Sequence, residues 1–297
     1  MDVGFVGLGK MGRPMVERLL GASHVVHVFN RSRPAMDALA ARGAQPAASA
    51  AAVAVRAELI LTALPTSASV EEVFGQFAAV AHEGQIYADH STVSPELNRR
   101  CAELLTARGA DFLDAPVSGG PAGAQAGTLT VMVGGEEIVF QRAEPVFRAF
   151  GQNVRLCGPV GAGQVIKLAN QLLVAIHTAA IAEAAVFATK LGADPQLMLD
   201  LLGTSFGSSA MLTRNLPRFM AQDYRPATPV SLILKDLGVI QGEAERGGVP
   251  LWLGTRTLAQ FREAAELGLA DEDMAALVRL WEQAADHTVA QSNSGTP

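Results

Sequence analysis

Lys167 is the side chain in this chain best placed by its neighbours to move a proton. It lies in a stretch, residues 160–191, built almost wholly of Ala, Val, Leu, Ile and Phe. Within it Gln164, Lys167, Asn170, Gln171, His177 and Thr178 recur at three- and four-residue steps. Those steps put them on one face of a single long helix. An apolar helix belongs inside a protein, so a polar stripe along it must face a cavity, a ligand or a partner. Desolvation lowers a buried lysine towards neutrality, where one ammonium can give a proton in one direction and take it back in the other. Asn170 and Gln171, one turn on, can hydrogen-bond a substrate without competing for that proton. The plainer alternatives are a lysine that neutralises a helix end or lines a subunit contact, and amides that only pack or bridge helices.

A second constellation stands at the start of the chain. Residues 3–6 read as a short buried strand, followed at once by Gly7-Leu8-Gly9-Lys10-Met11-Gly12 and a helix through Leu20. G-x-G-x-x-G between a strand and a helix is the setting in which this motif binds a dinucleotide. Gly7 allows the tight turn, Gly9 lets a pyrophosphate approach the backbone, and Gly12 lets helix and strand pack closely, with the helix N-terminus facing the phosphates. Leu8 and Met11, in the same turn, are expected with the glycines to contact the cofactor. The next strand, residues 25–29, ends in Asn30-Arg31-Ser32-Arg33, where an NAD-binding chain usually carries an acid for the ribose hydroxyls. A carboxylate would repel a 2′-phosphate, whereas Asn30, Arg31 and Ser32 can accept one through charge-assisted hydrogen bonds. The sequence therefore favours NADP(H), with NAD(H) possible; solvated arginines opening a helix are the alternative.

These residues need a scaffold, and the rest of the first half supplies one. Strands at 58–64, 86–89, 111–115, 128–133 and 153–156 alternate with helical stretches such as 95–107. That rhythm implies a doubly wound, mostly parallel sheet, an α/β Rossmann domain. Ligands of such sheets lie beyond the carboxyl ends of the strands, so Leu64-Pro65-Thr66 and Ser91-Thr92 are placed to line the cofactor. Helix caps and turns would also explain those hydroxyls. The loop Asp114-Ala115-Pro116-Val117-Ser118-Gly119-Gly120-Pro121 is too apolar for a linker. Ser118 followed by Gly119 and Gly120 sets backbone N–H groups beside a hydroxyl, a small nest suited to a carboxylate. A nucleophilic serine is not indicated, because Ser118 lies outside G-x-S-x-G.

Beyond the long helix no strand is expected. Residues 195–202, 211–220, 230–246, 251–267 and 271–287 all read as helices. The chain thus divides into a nucleotide-binding domain at 1–161, an all-helical domain at 162–290 organised on the long interdomain helix, and a tail at 291–297 expected to be disordered. The helical half is more hydrophobic than a small bundle would bury, which predicts a homodimer or homotetramer.

The formal charge of −6 argues against a nucleic-acid partner. Cys101 and Cys157 show neither metal nor disulfide spacing, and the histidines are scattered, so no metal is assigned. The free cysteines fit a cytoplasmic enzyme. No signal peptide is expected from MDVGFVGLGK, and no uninterrupted apolar run approaches the roughly 18 residues of a membrane span, so no membrane partner is expected.

Four motifs in order carry a resemblance. They are the stretch from Gly4 to Gly12, the Asp114-Ala115-Pro116-Val117-Ser118-Gly119-Gly120 loop, Gly161-Ala162-Gly163-Gln164-Val165-Ile166-Lys167-Leu168-Ala169-Asn170-Gln171, and Lys235-Asp236-Leu237-Gly238. Together they resemble the β-hydroxyacid dehydrogenases, a family that includes 3-hydroxyisobutyrate dehydrogenase and tartronate semialdehyde reductase. The resemblance implies hydride transfer between a nicotinamide cofactor and a small β-hydroxyacid or its semialdehyde, in a cleft between a Rossmann and a helical domain. It makes Lys167 the catalytic lysine, gives the substrate carboxylate to Ser118, Gly119 and Gly120, and has Asn170 or Gln171 orient the substrate. It also puts Thr92 near the nicotinamide ribose and has Lys235 reach towards the cofactor; on its residues alone Lys235 would be a solvated cation paired with Asp236.

One departure stands out. Where several members carry an aromatic residue before the Lys-Asp-Leu motif, this chain reads Pro226-Ala227-Thr228-Pro229-Val230-Ser231-Leu232, which leaves the acid undefined. Three-carbon and four-carbon hydroxyacids such as 3-hydroxyisobutyrate, glycerate, threonate and 4-hydroxybutyrate all remain open. The rival readings are an imine reductase, against which Lys167 argues, a 6-phosphogluconate dehydrogenase, which is longer in its helical domain, and an NADPH-binding sensor or scaffold without turnover, against which the intact Lys167 and Ser118 argue.

Overall fold

Short apolar runs separated by glycine, proline and capping residues build the first half of the chain. A computed structural model describes residues 1–290, so the expectation for 291–297 lies outside the described residues. The chain forms two compact units, Met1–Leu168 and a second beginning at Ala169.

In the first unit, β1 (Asp2–Val6) leads through the glycine turn into α1 (Gly12–Gly21), then β2 (Val25–Phe29), α2 (Arg33–Ala40), β3 (Gln45–Pro46), α3 (Ala50–Ala54), β4 (Leu59–Thr62) and α4 (Ser67–Ala78). The chain continues with β5 (Ile86–Asp89), α5 (Pro95–Thr106), β6 (Asp111–Asp114), β7 (Val117–Ser118), α6 (Gly120–Ala126), β8 (Leu129–Gly134), α7 (Glu137–Phe147) and β9 (Gly151–Gly158). The nine strands form one sheet in the order β3-β2-β1-β4-β5-β6-β8-β7, with β9 paired to β8. All pairs are parallel except those of β8 with β6 and β7. The antiparallel pairing arises because the loop expected after β6 is partly a strand: Val117 and Ser118 pair with Val131 and Thr130.

Side chains alternate across the sheet with the two-residue period of a strand. Phe5, Leu59, Leu61, Ile86 and Ala88 enter a core shared with α1, whereas Ile60, Tyr87 and Phe112 enter a second core with Val70, Phe74 and Phe77 of α4. A sheet covered on both faces explains why its strands read as continuous apolar runs.

α8 (Ala162–Lys190) is the long helix, and it belongs to both units. The division falls inside it, at Leu168, rather than at its start, because the first turns are hydrogen-bonded to Asp114 and Ser91 of the sheet. By length and composition alone α8 could cross a bilayer, although Gln171, His177, Thr178 and Glu183 interrupt its apolar run. Its buried face carries Gln164, Lys167, Gln171 and Thr178, the polar stripe of a core helix rather than a lipid-facing surface.

The second unit continues with α9 (Pro195–Leu202), α10 (Ala210–Ala221), α11 (Val230–Gly247), α12 (Trp252–Ala264) and α13 (Val278–Ala285). Two expected helices end differently. α12 runs into a widened turn at Ala265–Leu269 that closes on Gly268 with φ 86°, and the helix expected at 271–287 begins late. Asp273 is extended there, its carboxylate accepting the Ala275 N–H, and one turn of 3₁₀ helix, Met274–Leu277, precedes α13.

Candidate active site

The last paired residues of four adjacent parallel strands form a row across the carboxyl rim of the sheet. Val6 pairs with Thr62, Thr62 with Asp89, and Asp89 with Asp114. Three of these four are polar and wholly buried, so each must find partners inside. Thr62 donates its hydroxyl to Asp89 Oδ1 at 2.7 Å, and Asn98 Nδ2 donates to Asp89 Oδ2 at 3.1 Å. The Ser91 N–H also reaches Asp89 Oδ1, at 3.0 Å, and the Ser91 hydroxyl accepts the Leu64 N–H at 2.8 Å. The segments that begin at Leu64 and at Ser91 are therefore bound to one another beyond the ends of β4 and β5.

Asp114 fastens α8 to this rim. Its Oδ1 accepts the Gly161 N–H at 2.6 Å and its Oδ2 the Gln164 N–H at 2.8 Å, which caps the helix from a distant strand. A side chain at Gly163 would collide with Met132 and Asp114, so a glycine is required for that approach. Burial pushes the Asp114 carboxyl up to about 6, against the pull of the two N–H donors. Gln164, also wholly buried, donates Nε2 to the Ser91 carbonyl at 2.6 Å and accepts the Val93 N–H at 3.4 Å. One turn further along lies Lys167, 7% exposed.

His90, between Asp89 and Ser91, shares a hydrogen bond through Nδ1 with the Ala115 carbonyl at 2.6 Å and packs against Phe5, Phe147 and Phe150. Burial pushes its imidazole down to about 4. It is neutral packing for the start of the serine loop. In that loop Gly119 and Gly120 have φ of 131° and 64°, a left-handed turn that glycine adopts without strain, and a side chain at Gly120 would meet nothing. Ser118 is half-buried at the end of β7.

At the glycine turn, Gly7 has φ 99° and its N–H donates to the Phe29 carbonyl at 3.1 Å. A side chain on Gly7 would run into the Ala63 backbone and one on Gly12 into the Gly7 carbonyl, whereas one on Gly9 would meet nothing. Leu8 is buried and Met11 packs against the core beneath. Asn30 accepts the Leu8 N–H at 3.1 Å and donates to the Ser32 carbonyl at 3.2 Å, so it braces the turn. Arg33 pairs with Asp37 at 3.1 Å. Arg31 and Ser32 are exposed, and among the described residues no hydrogen bond or ion pair claims Arg31. Pro65 is exposed and Leu64 and Thr92 are half-buried, while Thr66 is used as the cap of α4.

Within the second unit Asp236 is the organising residue. It accepts Gln171 Nε2 at 2.6 Å and pairs with Lys235 Nζ at 2.8 Å. Gln171 in turn accepts Asn170 Nδ2 at 3.0 Å. Both polar ends of Gln171 thus serve the protein, and Asn170, half-buried, is the amide with an oxygen to offer. Thr178 is structural: it donates to the Val174 carbonyl of its own helix and accepts from Asn215.

Known proteins resemble this chain over nearly its whole length. A family model described as the NAD binding domain of 6-phosphogluconate dehydrogenase matches residues 2–158, and one described as NAD-binding of NADP-dependent 3-hydroxyisobutyrate dehydrogenase matches residues 161–281. The 2-hydroxy-3-oxopropionate reductase of Escherichia coli is 37% identical over 98% of this chain and all of its own length (100%). The 2-(hydroxymethyl)glutarate dehydrogenase of Eubacterium barkeri is 36% identical, covering 95% of each chain. The chain belongs to the β-hydroxyacid dehydrogenase family. Among solved structures, the 3-hydroxyisobutyrate dehydrogenase of Mycobacterium tuberculosis, described with L-serine, superposes with a TM-score of 0.87 at 34% identity over 94% of this chain and 98% of its own.

A member of this family is an NAD(P)-dependent oxidoreductase acting on a CH–OH group, and the residues of this dehydrogenase fit a nicotinamide dinucleotide. The open space over Gly9 admits a ligand to the backbone, and Met11 gives α1 no side-chain cap, although the Arg13 N–H is bound to the Gly9 carbonyl and Pro14 has none. Sequence reasoning overlooked Asp89 and Asn98, placed Asp114 in a motif without a task, and read Asp236 only as a partner of Lys235. The signal was present for Asp89 and Asp114 as acids that end apolar strands at matching register, whereas Asn98 lies within α5 and carried none.

Proposed function

We propose that this dehydrogenase interconverts a small β-hydroxyacid and its semialdehyde or keto form, prefers NADP(H), and uses Lys167 as the general acid and base. The observation that carries this reading is a buried lysine on a helix whose first turn is hydrogen-bonded to the carboxyl rim of the sheet. When bound, the nicotinamide supplies the hydride acceptor or donor. Oxidation then requires the substrate hydroxyl to lose its proton as hydride leaves the carbon, and Lys167 Nζ takes it; reduction returns the proton from the same nitrogen. Ser118 and the N–H groups of Gly119 and Gly120 hold the substrate carboxylate, supported by the open left-handed turn. Asn170 orients the substrate, with Gln171 as its brace.

Arg31 supports the NADP preference, because its guanidinium is exposed with no carboxylate among the described residues paired to it. Thr92, Leu64 and Pro65 border the cofactor in this reading. The free cysteines support a cytoplasmic enzyme. Exposed Leu173, Phe187, Leu201, Phe206 and Trp252 on the helical unit support assembly as a homodimer or homotetramer.

The test is turnover against a panel of three- to five-carbon β-hydroxyacids and semialdehydes, each with NADP and NAD. Lys167→Ala should lower kcat by about 10³-fold, within the range for lost acid–base catalysis, while NADPH still binds. Retention of a tenth of the wild-type kcat would remove the catalytic role. Arg31→Asp should move the NADP-to-NAD ratio of kcat/KM towards NAD by about ten- to a hundred-fold, the worth of one or two charge-assisted hydrogen bonds. An unchanged ratio would end the case for a 2′-phosphate at Arg31.

A further inference from the structure

Gln164 is wholly buried and binds two backbone groups of one segment: its Nε2 donates to the Ser91 carbonyl and its Oε1 accepts the Val93 N–H. Those two groups flank Thr92. The backbone N–H of Gln164 is itself held by Asp114 Oδ2 at 2.8 Å, and the Ser91 on which it pulls is held by Asp89. Three residues later on the same helix stands Lys167.

We propose that Gln164 is a positioning residue for the reaction: its amide is a two-point clamp that fixes the Thr92 segment relative to the helical turn carrying Lys167. The inference rests on the function proposed above, since it supposes that Thr92 borders the cofactor and that Lys167 moves the substrate proton. A buried glutamine used only for packing would need one partner for each polar end, anywhere within reach. Here both partners lie on either side of a single residue, and the glutamine backbone is anchored independently by Asp114 at the end of a second strand, β6. Both ends of the clamp are therefore tied to the sheet, and the one degree of freedom it removes is sliding of the Thr92 loop along α8. Effective concentrations in a two-part site are lost steeply when reacting groups are misplaced, by roughly 10²-fold for about 1 Å. The clamp touches neither substrate nor cofactor, so removing it should alter alignment rather than binding.

Two variants separate this role from simple packing. Gln164→Met keeps the length and volume but removes both hydrogen bonds; Gln164→Glu keeps the acceptor for Val93 and loses the donor to Ser91 when ionised. Both should bind NADPH, followed by nicotinamide fluorescence, within about threefold of wild type while kcat falls by about ten- to a hundred-fold at little changed KM. The isotope effect on kcat with 4-deuterated NADPH should rise in both, because hydride transfer becomes slower relative to product release. Amide hydrogen exchange gives a readout that needs no turnover. The Val93 N–H should exchange faster in Gln164→Met than in wild type, and Gln164→Glu should keep it protected. A kcat within twofold of wild type in Gln164→Met, or a loss of NADPH affinity that matches the loss of kcat, would overturn the proposal, as would unchanged exchange at Val93. If the wild-type enzyme turned over nothing in the panel, the proposed reaction would fall while the exchange experiment still decided the clamp; if Gln164→Met failed to fold, Gln164→Glu would decide the kinetics.

Discussion

Each unit contains a wholly buried carboxylate that gathers backbone N–H groups, Asp114 in the first and Asp273 in the second, and the two are neutralised in opposite ways. Asp114 has only neutral donors, the N–H groups of Gly161 and Gln164, and burial wins, holding its carboxyl at about 6. At Asp273 burial also pushes the carboxyl up, but the Arg214 guanidinium grips both oxygens at 2.9 and 2.8 Å. The N–H groups of Ala227, Thr228 and Ala275 add three bonds, and the carboxyl ends below its ordinary value. The second unit thus pins the segment before α11 with a permanent ion pair. The first unit instead joins its rim to α8 through neutral hydrogen bonds.

The difference sets the order of expected damage. Asp273→Ala should be the most costly change: it strands the half-buried Arg214 charge and three N–H groups, at about 3–5 kcal/mol, the usual cost of breaking a buried pair. Urea unfolding monitored at Trp252 and Trp281, both in the helical unit, would show it as a lower midpoint. Adding Arg214→Leu should recover part of the loss by removing the unpaired charge, though the three N–H groups stay unsatisfied. A loss under about 1 kcal/mol for Asp273→Ala would mean that water replaces the carboxylate and that the contrast between the two nodes is not energetic.

How much of this was legible in the sequence follows the same line between local and distant partners. The glycine turn could be read because Gly12 is required by contacts with Gly7 and Phe5 of the same βα unit and Gly7 by its own left-handed φ, although the backbone that excludes a side chain at Gly7 is that of distant Ala63. The long helix could be read because its stripe is periodic along one element. The antiparallel entry of β7 was hidden, since two residues carry no pattern of their own and are fixed by β8. Asp114 was visible as part of a motif, but its task was not, because its partners at Gly161 and Gln164 lie 47 and 50 residues away. The late start of α13 was missed for a related reason: the sequence from Asp271 is a good helix, but Asp273 spends its carboxylate on N–H groups from the chain before α11. Arg31 shows the opposite case, a residue whose role is inferred because the described protein leaves it unclaimed.

The smaller effect sharpens the first-unit side of the comparison, because His90 and Asp114 titrate in overlapping windows with opposite signs. The Asp114 carboxyl moves from 3.8 to about 6 on folding, so the native state binds more protons than the unfolded chain between those values. Its contribution is fully present below pH 3.8 and is lost as the pH rises through about 6. The His90 imidazole moves from 6.5 to about 4, so the unfolded chain binds more protons there, and its contribution is present above pH 6.5 and lost as the pH falls through about 4. Each amounts to on the order of 3 kcal/mol across its window, and in the wild type the two nearly offset each other. Unfolding free energies measured from pH 4 to 7 should therefore change slope in opposite directions: relative to wild type, Asp114→Asn becomes more stable with rising pH, and His90→Phe becomes less stable. Both substitutions also lower the intercept, by an unpaired donor or acceptor, but that shift is independent of pH. Parallel curves for the three proteins would show that Asp114 is ionised throughout this range, and the neutral-donor node would then differ from Asp273 in geometry alone.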